Sequence, residues 1–213
     1  DMKQDEVYWE ENNCTLGLLL ADSSMFQRDL PHTAGNLLKG SKALKAMHDW
    51  SALYGLALPI LKHGMPVRPV QLDNIRRYPG YLDDYKVLIL SYEFMKPEYP
   101  DINSALFQWV RDGGILVGDG SDPFHNVREW WNEGKKKYNN PAEHLFESIG
   151  LGVSPDGGIY NIDNGIFAYL AINPADCAYH REQANQLRDI IKKAMERKGD
   201  PEITCRTKSS FIL

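Results

Sequence analysis

Residues 85–124 read YKVLILSYEFMKPEYPDINSALFQWVRDGGILVGDGSDPF, and this stretch decides the fold. Lys86 to Leu90 is a short apolar run rich in branched residues, the pattern of a strand covered on both faces. Pro97 and Pro100 punctuate a loop, after which Asp101 is placed to cap a helix beginning near Ile102. Leu106, Phe107, Trp109 and Val110 fall near the spacing of one buried helical stripe. Gly113-Gly114 ends that helix, and Ile115–Val117 opens a second buried strand at once. The result is a right-handed β-α-β unit. Its strands end in the polar turns Ser91-Tyr92-Glu93 and Gly118-Asp119-Gly120-Ser121-Asp122, where an open α/β sheet places its crevice.

Further strands and helices extend the unit in both directions. Thr15–Ala21 (TLGLLLA) predicts the first strand, followed by the polar turn Asp22-Ser23-Ser24 and a long irregular loop over 25–42. Ala43–His63 predicts an amphipathic helix whose apolar face is Trp50, Leu53, Tyr54, Leu56, Ala57, Ile60 and Leu61, with a kink or split at Pro59 and a stop at Gly64. Val67–Leu72 reads as a strand that Pro69 assigns to a sheet edge, and 73–84 as a polar connection with room for one helical turn. Pro141–Ile149 has proline at a helix start and Glu143 in its first turn. Val153–Asp163 reads as a turn-rich hairpin, Gly165–Ile172 as the last strand, and Ala175–Lys198 as one closing helix stopped by Gly199.

Strands alternating with helices define the class as α/β: a flavodoxin-like, doubly wound, mostly parallel sheet with helices on both faces. Strands near residues 16, 67, 86, 115 and 166 suit the order 2-1-3-4-5. The chain divides into a leading surface segment over 1–14, the α/β domain over 15–199 and a tail over 200–213. Because it starts at Asp1 and stops on the strand-like Ser209–Leu213, the expectation is a fragment of a longer polypeptide.

Bulk properties exclude several roles. The 213 residues are 43% hydrophobic and 25% charged, ordinary for a globular domain, and the net charge of −5 offers no general field for nucleic acid or an anionic membrane. No apolar run reaches the roughly 20 residues needed to span a bilayer. Cys14, Cys177 and Cys205 have no metal-ligand spacing, and their odd number leaves the redox compartment undecided. Without a GxGxxG or GxxxxGK[ST] phosphate loop, no nucleotide or other cofactor is expected.

The candidate site gathers the polar turns at the carboxyl edge. Asp22 and Ser23, with Tyr92 and Asp122, would bind ligand, while Glu93, Asp119, Ser121 and His125 are the candidate catalytic groups. Against this, aspartate after a strand routinely caps the following segment, and His125 lies too near Ser121 in sequence to serve it easily. Asp22, Asp119 and Asp122 would suit a Mg²⁺ ion, but nothing in the sequence supplies the phosphate loop that usually accompanies one, and no metal is assigned. Trp130 and Trp131, with Tyr138, read either as rings that stack on sugars or a partner domain or as partly covered core. His32, His48, His63, His144 and His180 are scattered and read as structural or exposed. Lys135-Lys136-Lys137 reads as a solvated loop.

The run from Tyr81 to Val117, YLDDYKVLILSYEFMKPEYPDINSALFQWVRDGGILV, resembles the class I glutamine-amidotransferase-like superfamily. More narrowly, it is similar to the non-catalytic domain of that type in glycoside-hydrolase beta-galactosidases, which serves trimer formation. The first strand with Asp22-Ser23 and the helix–strand pair Tyr54–Val70 agree, so the resemblance covers roughly residues 15–172. Catalytic members carry a cysteine at the elbow after the fourth strand, where this sequence has Asp119, so no family catalytic residue carries over. The resemblance implies a non-catalytic module partnered by other domains of the same polypeptide, by its own copies and by carbohydrate, in an extracytoplasmic setting. The competing readings are a hydrolase acting on a sugar or small polar substrate, and a sugar-binding module.

Overall fold

The computed structural model describes residues 15–21, 51–92, 96–119, 130–174 and 176–199. Its strands are β1 (Leu16–Leu20), β2 (Arg68–Gln71), β3 (Val87–Leu90), β4 (Ile115–Asp119), β5 (Gly158–Ile162) and β6 (Gly165–Leu170). Its helices are α1 (Ser51–Leu61), α2 (Asn74–Arg77), α3 (Pro100–Arg111), α4 (Pro141–Ser148), α5 (Asp176–Tyr179) and α6 (Arg181–Lys198). One six-stranded sheet runs in the order β2-β1-β3-β4-β6-β5, and every pairing is parallel except β5 with β6. The α/β class and the parallel 2-1-3-4 core expected from the sequence are therefore present, with β6 in the expected fifth place.

Alternation along each strand explains why both faces are covered. Leu88 and Leu90 of β3 point to one face, with Leu19, Leu116 and Phe167, and meet Ile102, Leu106 and Val110 of α3 and Leu145 of α4. Val87 and Ile89 point to the other, with Leu18, Val117 and Ile166, and meet Leu56 and Ile60 of α1 and Leu187, Ile191 and Ala194 of α6. Near-continuous apolar runs are what a strand buried on both sides requires. Pro69 sits where it was expected, in the edge strand β2.

The structure corrects five expectations. Asp101 is not the cap of α3: the helix starts one residue earlier, Tyr99 is the N-cap and Pro100 fills the first turn, where its missing N–H costs nothing. Asp101 instead pairs with Arg76 Nε at 2.7 Å on the surface. On α1, Tyr54 and Leu61 are exposed rather than part of the apolar face, and Pro59 lies inside the continuous helix without splitting it, close enough to the end to remove only one late hydrogen bond. Residues 43–50 of that expected helix, and Trp50, lie outside the described residues. The closing helix is two pieces, because His180 is extended between α5 and α6. The expected hairpin spans β5 and β6 themselves, turning on Asp163-Asn164 with Asp163 at φ 48°, and it adds an antiparallel edge beside β6.

Candidate functional site

The carboxyl edge of the parallel core is bounded by the ends of β1, β3, β4 and β6. Asp119, the last residue of β4, is buried there. Among the described residues a small cavity of about 10 Å³ lies beside it, walled by Leu90, Gly118, Leu170 and Ile172. Asp119 raises the pKa of two neighbours, after burial as the main cause: Tyr169, and Cys177, whose thiol is pushed up to about 12. Cys177 is thus held as the neutral thiol at physiological pH. Asp22, Ser23, Ser24, Glu93, Ser121, Asp122 and His125 lie outside the described residues.

The expected ligand-binding residues that are described come together differently. Tyr92, just past β3, is buried, and its hydroxyl donates to Asn103 Oδ1 of α3. Asn103 is fully buried, and its Nδ2 donates to Pro141 O at 2.9 Å and faces His144 Nδ1 at 3.1 Å. The Pro141 carbonyl can only accept, which fixes the amide orientation and makes His144 Nδ1 an acceptor. Trp131 is 3% exposed, so its ring offers no face on which a sugar could stack. Trp130 is half-buried: its Nε1 donates to Pro97 O at 2.8 Å, and its ring meets Trp131 and His144 edge-on at 5.6 and 5.1 Å between centroids. Tyr138 closes the cluster at 5.3 Å from the His144 ring.

Charge surrounds this cluster on one side. Glu147, one turn after His144 on α4, accepts from Lys136 Nζ and from the Tyr138 hydroxyl. Lys136, then Tyr138, holds the Glu147 carboxyl below the usual carboxylate range, and the Tyr138 phenol is pushed up to about 12, first by that bond and then by burial. Burial lowers His144, with Glu147 pulling the other way. Helix α4 is fixed at its start by Asn140, whose side chain accepts from Glu143 N at 2.9 Å, while Glu143 accepts from Asn139 N at 2.8 Å. Asn103 and His144 were not singled out as site residues in the sequence. The available signal was Asn103 itself, an amide between Ile102 and Leu106 on the buried stripe.

The lowered His144 sets a pH response. The unfolded chain takes up this proton as pH falls through about 6.5, whereas the folded chain does so only at lower pH. In between, the unfolded state binds more protons, so stability rises with pH. The urea midpoint is expected to fall from pH 7.5 to pH 5.5, and to fall less in His144→Gln. Equal falls in both proteins would remove His144 from the account.

Among the described residues no cluster of His, Cys, Asp and Glu is arranged to hold a metal ion. No described helix is long and apolar enough to cross a membrane.

The class defined by sheet order and covering helices is a flavodoxin-like α/β domain with one antiparallel edge strand. No protein-family model matches the chain, and no curated protein matches it. Among solved structures it is similar to a beta-galactosidase from Bacillus circulans sp. alkalophilus, with a TM-score of 0.50 and 12% identity over 88% of this chain and 31% of that one. It also matches an exo-beta-1,4-mannosidase from an Opitutaceae bacterium, with a TM-score of 0.46 and 12% identity over 85% of this chain and 36% of that one. The chain spans about a third of the length of each. At such identity the first likeness establishes the fold alone.

Proposed function

We propose that this chain is a non-catalytic, amidotransferase-like α/β module of a larger carbohydrate-active protein, acting in domain packing, oligomerisation or the lining of a partner domain's substrate cleft. The observation that carries the reading is the fold likeness over 88% of this chain to 31% of a beta-galactosidase chain. In that protein an α/β unit of this kind is one part of a longer polypeptide. Supporting it, the resemblance of the sequence puts Asp119 where catalytic amidotransferase-like proteins carry their cysteine, and Cys177 is held as a neutral thiol. A hydrolase using Asp119 would need space for a glycosidic oxygen and a second carboxylate at a defined separation. The test is turnover of aryl β-galactosides and aryl β-mannosides by the chain. Release of the aryl group is expected to stay at the buffer rate, and hydrolysis abolished by Asp119→Asn would overturn the reading.

A further inference from the structure

A second region, which shares Cys177 with the surroundings of Asp119, carries a charge arrangement that the scaffold reading does not use. The end of α1 and the α5–α6 junction enclose a cavity of about 300 Å³, at the lower end of small-molecule sites. Five basic side chains line it: Lys62, His63, His180, Arg181 and Arg188. No described carboxylate lines it, and none of the five takes part in an ion pair among the described residues. The nearby acids Asp176 and Glu182 lie outside the lining, and Asp189 lines the adjoining cavity, which shares His63 and Arg188.

This grouping is unusual in a chain of net charge −5, where carboxylates to neutralise it are in surplus. Lys62, Arg181 and Arg188 are permanent cations around one cavity, and charges closer than a Debye length, about 8 Å at physiological ionic strength, are not fully screened by salt. An anion offsets the repulsion between them and gains charge-assisted hydrogen bonds.

The cavity is also built to hold its shape. Arg188 is half-buried, with Nη1 donating to Pro59 O at 3.4 Å and Nη2 to Asn185 Oδ1, both neutral acceptors. These two bonds orient the guanidinium without pairing its charge to any described carboxylate, and two of its five N–H donors are used by them. Outside the lining, α1 is held close to the segment before α5, where Gly55 meets the Pro174 carbonyl so closely that an added Cβ would lie 1.8 Å from the oxygen. Leu58, Pro59 and Cys177 also line it and are themselves uncharged, while the Asp119 and Asp176 carboxylates act on the Cys177 thiol from outside the lining.

We propose that this cavity binds a tetrahedral oxyanion, the phosphate or sulfate group of a small molecule or the free ion. The inference stands on the cavity alone and does not depend on the scaffold reading. The test is calorimetric titration of the chain with inorganic phosphate, inorganic sulfate and glycerol 3-phosphate, against sodium chloride at matched ionic strength. Saturable binding of phosphate or sulfate, absent with chloride, is expected. It should weaken about tenfold or more in Arg181→Gln with Lys62→Gln, two exposed side chains whose loss leaves the fold intact, and likewise in Arg188→Gln. Glycerol 3-phosphate binding at least as tightly as phosphate supports an ester ligand, and its failure to bind while phosphate binds supports the free ion. Heats equal to those of chloride, or phosphate binding unchanged in the exposed double variant, would overturn the proposal.

Discussion

Alanine at position 55 is expected to destabilise the chain by about 3 kcal/mol or more, although the residue sits inside helix α1. Helix propensity alone argues for the opposite sign, since alanine is favoured over glycine by about 1 kcal/mol in a helix interior. Contact decides it. The added Cβ would meet Pro174 O at 1.8 Å and Pro174 C at 2.8 Å, and both are backbone atoms that cannot escape by changing rotamer. Helix α1 would have to move away from the segment around Pro174 and Ala178, opening the Leu56 and Ile60 contacts with the sheet face. Urea denaturation reads this directly: a lowered midpoint is expected, and an unchanged or raised midpoint would mean that the two backbones do not approach so closely.

Asn103→Leu is expected to cost a similar amount, about 3 kcal/mol or more, because it strands several polar groups at once. The side chain accepts from the Tyr92 hydroxyl and donates to the Pro141 carbonyl, and it faces His144 Nδ1. Leucine matches its size but satisfies none of them. For a chain of this length the melting temperature should fall by about 6–12 °C. Removing the Tyr92 hydroxyl as well, in Tyr92→Phe with Asn103→Leu, should recover about 1 kcal/mol, since replacing both partners of a buried hydrogen bond costs less than leaving one unpaired. A double-mutant cycle checks this. Strict additivity would mean that Tyr92 and Asn103 are not coupled.

The fold was legible wherever burial on both faces wrote itself as a continuous apolar run. Leu16–Leu20, Val87–Leu90 and Ile115–Val117 are such runs, and the Gly113-Gly114 stop separates α3 from β4 as expected. Strand β5 was harder to read because GIYNI mixes half-exposed and polar residues at a sheet edge. The division at His180 has no glycine or proline to announce it. It arises where the α5 region packs against Gly55, a contact across more than a hundred residues.

The candidate sites follow the same rule. Tyr92 and Trp131 drew notice by residue type, but only the structure shows them covered, one by its bond to Asn103 and the other by its packing on Trp130. His144 lies 41 residues from Asn103, a pairing set by how α4 docks on α3 rather than by local spacing. The basic cavity draws Lys62 and His63 from one end of the chain and His180 to Arg188 from the other, so no short motif could have marked it.

The role proposed for the α/β module is that of a scaffold without glycoside chemistry. It is tested most directly by incubating the chain with 2-deoxy-2-fluoro-β-galactosyl fluoride, which traps a carboxylate nucleophile as a covalent glycosyl adduct, and measuring the intact mass. The account predicts an unchanged mass after prolonged incubation; a single added fluorosugar mapped to Asp119 or Glu93 would contradict it.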